Sequence, residues 1–171
     1  CAACGCEVAS AQTEGTKAVL EIADVHLWHG RKDPYLYCCE VEIVEGDQII
    51  DNVCTRFGCR TFKIDAENGF ILNGEEYPLH GVSRHQDRKD MGWAITKKEH
   101  KEDMELIKEV GATSIRLAHY QHDQFFYDLC DEMGFLVWAE IPVISRFSKA
   151  AQDNALSQLE ELIKQNMHHA S

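Results

Sequence analysis

The 171-residue sequence is poor in proline, glycine and basic residues, and each shortage excludes a class of protein. Three prolines and 11 glycines are too few for a fibrous or linker-type sequence. Only 17 basic side chains oppose 29 acidic ones, and this net charge of -12 argues against a nucleic-acid partner, which requires clustered Lys and Arg. No apolar run approaches the ~20 residues that a membrane-spanning helix needs. We therefore expect a globular protein that binds a small neutral or cationic ligand, or another protein.

Several short catalytic motifs are also missing. Neither GxGxxG nor GxxxxGK follows a predicted strand, which disfavours the nucleotide-binding α/β folds. No serine lies in a GxSxG motif, the pattern of a hydrolase nucleophile elbow. These absences leave an α/β fold without a nucleotide cofactor, and we predict no cofactor.

Cysteine is abundant rather than scarce. The eight cysteines allow a disulfide framework, but the long amphipathic helices can form a core without one, so we expect reduced thiols and a cytoplasmic protein. Cys1, Cys4 and Cys6 supply at most half of a structural zinc site, which needs four ligands. We therefore predict no metal. The chain also begins with Cys1 and not Met, so we expect residue 1 not to be the biological start.

The first third of the sequence has the alternation of β-strands. Runs at 17–22, 35–44 and 49–56 alternate apolar and polar residues, and Glu45-Gly46-Asp47 separates the last two as a hairpin turn. These strands predict part of a β-sandwich.

From residue 70 the pattern becomes strand–helix, repeated three times. Apolar runs at 77–82, 112–118 and 135–139 predict strands, and periodic segments at 96–111, 122–133 and 151–167 predict helices. Thr96 and Glu99 form a capping box, and Gly111 and Gly134 stand where helices should end. We expect inward-facing residues on all three helices: Met104, Ile107, Val110, Phe126, Leu129, Cys130, Met133, Ala155, Leu156, Leu159, Leu162 and Ile163. The order is typical of a parallel sheet, and an α/β barrel is favoured, although three units cannot close one.

Polar residues lie at or just past the end of each of these strands, at the edge where parallel α/β folds place their sites. The candidates are Arg84, His85, Asp87, Arg116, His119, Tyr120 and Glu140. Arg116 stands between Ile115 and Leu117, so we expect it to point into the barrel, with Glu140 as its partner.

Structural roles remain open for some candidates. Arg84 and Asp87 could form a surface ion pair, and His85 and His119 could cap strand ends. A glycosidase needs two carboxylates. Only Asp87 and Glu140 are available, and neighbouring basic residues would hold Asp87 ionised. The residues alone thus predict a ligand-binding barrel face without a reactive pair.

Four segments resemble glycoside hydrolase family 2, the β-galactosidase and β-glucuronidase family. They are FGCRTFKID, GFILNGEEYPLHGVSRHQD, GATSIRLAHYQH and FYDLCDEMGFLVWAEIP, and the similarity extends from Leu27 to Ser171. The resemblance implies an immunoglobulin-like β-sandwich over 1–64 and the first three β/α units of a TIM barrel over 65–171. Residues 1–64 would be only the C-terminal part of that sandwich domain. The resemblance also implies substrate binding by His85, His119, Arg84, Asp87 and Tyr120, with Arg116 and Glu140 supporting the site.

The resemblance also sets expectations about activity. The family hydrolyses β-glycosides with retention through two Glu residues, and both are expected beyond Ser171, so we expect a fragment that is inactive alone. A β-galactosidase is favoured, with a β-glucuronidase or a non-catalytic carbohydrate-binding or scaffold protein as alternatives. The expected partner is a β-linked saccharide, not nucleic acid or membrane, and the parent enzyme is a candidate homo-oligomer. Residues 141–146 lack the Glu and His of the family's magnesium-binding branch, so no magnesium site is expected.

Overall fold

A computed structural model describes residues 5–146 and 148–171. The strands are β1 (Tyr37–Glu45), β2 (Gln48–Phe57), β3 (Phe62–Asp65), β4 (Gly69–Leu72), β5 (Glu75–Glu76), β6 (Gly81–Arg84), β7 (Ser114–Leu117) and β8 (Leu136–Ala139). The α-helices are α1 (Lys97–Glu109), α2 (Gln124–Met133) and α3 (Gln152–Asn166), and short 3₁₀ turns precede β1 and α3. Within the described ranges, no helix has both the length and the apolar character needed to cross a bilayer.

The strands β1 and β2 form an antiparallel hairpin, as the alternating pattern predicts. Tyr37 pairs with Phe57 at its open end, and Gly46 adopts a positive φ of 60° in the turn. A disulfide joins Cys38 to Cys54 across the hairpin, so the expectation of reduced thiols is wrong for these two residues. Their strands bring the sulfurs to one face, a proximity that cysteine spacing alone does not reveal.

The other N-terminal predictions have mixed outcomes. Residues 17–22 form no strand, because none of the strands in the described part of the chain pairs with that segment. Cys1 and Cys4 of the predicted half metal site lie outside the described residues, whereas Cys6 is exposed. The second small sheet, β3-β4-β5, is an antiparallel meander, and β3 crosses the predicted domain boundary between residues 64 and 65.

A fully buried tryptophan connects the N-terminal segment to the α/β part. The Trp28 indole Nε1 donates a hydrogen bond of 2.9 Å to the carbonyl oxygen of Asp131 in α2. The Asp131 carboxylate in turn accepts from His169 Nδ1 at 2.6 Å and from the backbone N–H of Ser171 at 2.8 Å. The surrounding core contains Leu36, Leu72, Tyr77, Leu136 and Ala170. The segment around Trp28 and the C-terminal residues thus pack against the same helix.

The strands β6, β7 and β8 form a parallel sheet in that order, and α1 and α2 connect them as predicted. The predicted capping box is present: the Thr96 side chain caps the start of α1, and Glu99 accepts from the Thr96 backbone N–H at 2.7 Å. α2 ends at Gly134, which has a φ of 77°. Helix periodicity and cap chemistry are local properties, so these features were readable from the sequence.

One side of the sheet packs against α1 and α2 and forms the larger core. Its buried residues are Met104, Ile107, Ala112, Ile115, Leu117, Phe126, Tyr127, Leu129, Cys130 and Phe135. Val110, which the helical pattern predicts to face inward, is exposed, because it caps the C-terminal end of α1. In α3 only Leu162 is buried; Leu156, Leu159 and Ile163 are exposed because no described element covers that face of the helix.

Candidate functional site

Strand register separates the two candidate arginines. Arg84 aligns with Leu117, whose side chain packs against the helices, whereas Arg116 aligns with Ser83 and Trp138. Because side chains alternate along a strand, Arg84 and Arg116 lie on opposite faces of the sheet. The face that carries Arg116 is open, as the prediction of an inward-pointing Arg116 requires.

Arg84 is buried on the helix side. Its Nε and Nη2 donate to Asp103 Oδ2 at 3.0 and 2.7 Å, and its other contacts are with His100 Nδ1 and His122 Nδ1, both at 3.0 Å. The guanidinium also lies 3.9 Å from the centre of the Phe126 ring. A surface ion pair with Asp87 is therefore wrong: the partner is Asp103. The structure does not bring Arg84 together with the other candidates.

Glu140 is the centre of a charged cluster at the ends of β7 and β8. Its Oε1 accepts from Arg116 Nε at 2.5 Å, which confirms the predicted partner, and its Oε2 lies 2.7 Å from His119 Nδ1. Burial acts to raise the pKa of Glu140, but the hydrogen bonds and charges of Arg116 and His119 outweigh it and hold the pKa below its usual value. Glu140 is thus an ionised acceptor and not a proton donor at neutral pH.

His85 and Tyr120 stand beside this cluster. The exposed His85 ring meets the His119 ring edge-on, with centroids 5.3 Å apart, and lies 6.1 Å from the Tyr120 ring. The Tyr120 hydroxyl accepts from the backbone N–H of Gln86 at 3.0 Å, which links the loops after β6 and β7. Asp87 is exposed in the same loop and forms no ion pair with any described residue. Five of the seven candidates therefore lie together.

Two exposed tryptophans were not predicted as site residues. Trp138 stands beside Arg116 in the register of the sheet, and strand alternation could have placed it there. Trp93 stacks on Tyr120 with ring centroids 4.5 Å apart and planes at 26°. Trp93 is distant in sequence from Tyr120, so no local signal predicts this contact.

The described residues give one group of possible metal ligands, in the hairpin and not at the strand ends. Ligand atoms of Cys38, Glu40 and Cys54 lie within 4.8 Å of one another. The disulfide occupies both sulfurs, so neither is a thiolate that could bind a metal.

His122 links the buried arginine to the site. Since a guanidinium only donates, His122 Nδ1 accepts from Arg84, and Nε2 carries the proton toward the Ala118 carbonyl oxygen at 3.1 Å. Ala118 precedes His119, so this contact helps to fix the backbone that carries His119, one of the candidate substrate-binding residues. Burial is the main cause that lowers the pKa of His122 to about 4, and the Arg84 charge acts in the same direction.

This pKa predicts a loss of stability in mild acid. The folded-state pKa lies below the unfolded value of ~6.5, so the unfolded chain binds the extra proton between pH 6.5 and 4. The contribution of His122 is complete above pH 6.5, and we expect about 3 kcal/mol to be lost as the pH falls to 4. Urea unfolding of the wild type and of His122→Gln across this range measures it. Parallel stability–pH curves for the two proteins would contradict the assignment.

Two family models match the sequence. "Glycosyl hydrolases family 2, TIM barrel domain" matches residues 62–170, and "Glycosyl hydrolases family 2" matches residues 4–60. The chain therefore belongs to glycosyl hydrolase family 2. The matches confirm the predicted combination of an immunoglobulin-like region followed by TIM-barrel sequence.

Individual relatives agree with the family. A β-glucuronidase from Bacteroides fragilis is 39% identical over 161 residues, which cover 89% of this chain and 23% of the relative. A β-galactosidase from Bacteroides ovatus is 35% identical over 122 residues, covering 71% and 12%. The crystal structure of an FMN-binding β-glucuronidase from Facaelibacterium prausnitzii L2-6 superposes with a TM-score of 0.90 at 44% identity, covering 96% of this chain and 26% of that one. The chain thus spans a quarter or less of the length of most of these relatives.

Proposed function

We propose that the chain forms one wall of the sugar-binding pocket of a retaining family 2 β-glycosidase. The Glu140–Arg116–His119 cluster is the observation that supports this most directly. The ionised Glu140 carboxylate offers hydrogen-bond acceptors to sugar hydroxyls. His119 and the exposed His85 beside it offer donors and acceptors. Asp87 and Tyr120, in the adjoining loops, are further proposed contacts.

Arg84 has a different part in this proposal. Its donors are engaged with Asp103, His100 and His122, so its role is to hold the β6 and α1 side of the pocket in place. Arg116 is half exposed and holds Glu140 on the open face, where a ligand can approach.

The proposed wall lacks the chemistry of hydrolysis. A retaining glycosidase needs a nucleophile and an acid/base carboxyl about 5 Å apart. Glu140 is committed to Arg116 and His119, and no second carboxylate hydrogen-bonds with this cluster among the described residues. We propose that the 171-residue chain binds saccharide without cleaving it, and that both catalytic Glu residues belong to a longer chain.

The proposed substrate is a β-linked hexose at the non-reducing end of a saccharide. The sequence favoured a β-galactoside, but the relatives carry both names, β-glucuronidase in Bacteroides fragilis and β-galactosidase in Bacteroides ovatus, and do not support one over the other. A β-glucuronide is therefore an equal candidate, and a direct comparison of the two sugars decides between them.

The domain division belongs to the same proposal. We assign residues 1–64 to the C-terminal part of an immunoglobulin-like β-sandwich and 65–171 to the first three β/α units of the barrel. The parallel order β6-β7-β8 with helices α1 and α2 between the strands supports this assignment, as does α3 after β8. The open face with Arg116 and Trp138 would be the interior of the completed barrel.

Titration of the purified 171-residue chain tests the proposal. We expect methyl β-galactoside or methyl β-glucuronide to shift the NMR signals of His85 and His119 at millimolar concentrations, and a chromogenic β-glycoside to remain intact. His119→Ala should abolish the binding, whereas His80→Ala, an exposed histidine just before β6, should not. Turnover by the pure chain, or equal binding by both variants, would overturn the proposal.

A further inference from the structure

Trp93 has an unusual environment for a large apolar side chain. It lies in the loop between β6 and α1 and is 64% exposed. One face of its indole is stacked on the Tyr120 ring at a centroid distance of 4.5 Å. Because the planes are nearly parallel, the opposite indole face is turned to solvent.

The loop around Trp93 is held by specific bonds, so this exposure is a property of an ordered turn. Arg88 and Gly92 exchange two backbone hydrogen bonds, of 3.1 and 2.9 Å. The Arg88 guanidinium bonds to Asp103 Oδ1 at 2.6 Å and to Glu102 at 2.5 Å, which attaches the turn to α1. A ring presented in this way is preorganised, so binding to it costs little ordering of the loop.

The aromatic surface is continuous with the polar cluster. Three rings form a row in space, in the order Trp93, Tyr120 and His85. The His85 ring in turn meets the His119 ring, and His119 bonds to Glu140. Saccharides combine a face of C–H bonds, which packs on the negative face of an aromatic ring, with hydroxyls at the ring edge. The site therefore offers a polar position at Glu140 and an aromatic position at Trp93, with His85 and Tyr120 between them.

We propose that Trp93 binds the second sugar ring of a β-linked oligosaccharide whose first ring occupies the His119–Glu140 cluster. This inference rests on the proposed function and adds the substrate class: an oligosaccharide, in contrast to a simple alkyl glycoside. Stacking on the indole face does not distinguish the hydroxyl pattern of one hexose from that of another, so the second position accepts different hexoses.

NMR titration of the 171-residue chain with ¹⁵N-labelled tryptophan indoles tests this inference, using a disaccharide and the matching methyl glycoside as a pair of ligands. Lactose and β-glucuronosyl-glucose are compared with methyl β-galactoside and methyl β-glucuronide. We expect the indole N–H of Trp93 to shift with the disaccharides only, while that of the buried Trp28 stays constant. Trp93→Ala should weaken disaccharide binding about 5-fold, the effect of losing one stacking contact, and leave methyl glycoside binding unchanged. Trp93→Phe should recover part of the loss.

The control variant is Phe62→Ala, an aromatic residue of similar exposure that lies in β3. It should leave both affinities at the wild-type values. Equal disaccharide affinity in the wild type and Trp93→Ala, or an equal loss for both ligand classes, would overturn the role of Trp93. A wild-type chain whose His119 responds to no saccharide would overturn the proposed function itself, and the second-ring position with it.

Discussion

Replacing Gly134 with alanine is expected to destabilise the chain by about 3 kcal/mol or more, whereas Gly111→Ala should cost only about 1 kcal/mol. Both glycines follow a helix with almost the same positive φ, 77° and 76°. An alanine Cβ at Gly111 meets no atom within 4 Å, but at Gly134 it would lie 2.1 Å from the Gly30 carbonyl oxygen. Backbone atoms cannot move aside as a flexible side chain can, so the cost at Gly134 includes displacing the segment near Trp28.

Urea unfolding of the two variants measures this difference. The left-handed conformation costs alanine the same at both positions. The additional loss in the free energy of unfolding at Gly134 therefore measures the close approach of the N-terminal segment to α2. Equal losses in the two proteins would show that residues 28–31 do not pack against the end of α2.

Replacing Arg84 with methionine is expected to unfold the chain at low denaturant, with a loss of about 3 kcal/mol. Arg84 is buried, and its removal leaves the nitrogens of His100 and His122 without their donor inside the protein. Asp103 keeps its bond to Arg88, which limits the loss.

Arg116→Met is the matched control, and the opposite result is expected from it. Arg116 is half exposed, so stability should change by less than about 1 kcal/mol. Saccharide binding should fall, because Glu140 loses the bond that positions its carboxylate. Denaturation and NMR titration of both variants check this pair. A stable Arg84→Met protein that loses only saccharide binding would restore Arg84 as a ligand contact.

The locally encoded features were predictable from the sequence. The capping box of Thr96 and Glu99, the helix end at Gly134 and the hairpin turn at Gly46 depend on residues within a few positions of one another. The pairing of Arg116 with Glu140 was also predictable, since Arg116 lies near the end of β7, Glu140 directly follows β8, and the two strands end at the same edge of a parallel sheet.

Burial in the helices was less predictable. Helical periodicity identifies an apolar face, but only a packed neighbour buries it. The faces of α1 and α2 are covered by the sheet, whereas Leu156 and Ile163 of α3 have no described element against them and are exposed. The same limit applies to the cysteines, because sequence spacing does not report that Cys38 and Cys54 meet across a hairpin.

The sequence by itself determined the β1–β2 hairpin, the alternation of parallel strands and helices from β6 onward, the family, and the edge of the sheet at which polar residues collect. Only the tertiary structure decided what each of those residues does. Strand register turned Arg84 toward the helices and Arg116 toward the open face, and loop packing brought Trp93 onto Tyr120. The physical reason is that residue type and period are local, whereas burial and ring contacts depend on residues far apart in the chain.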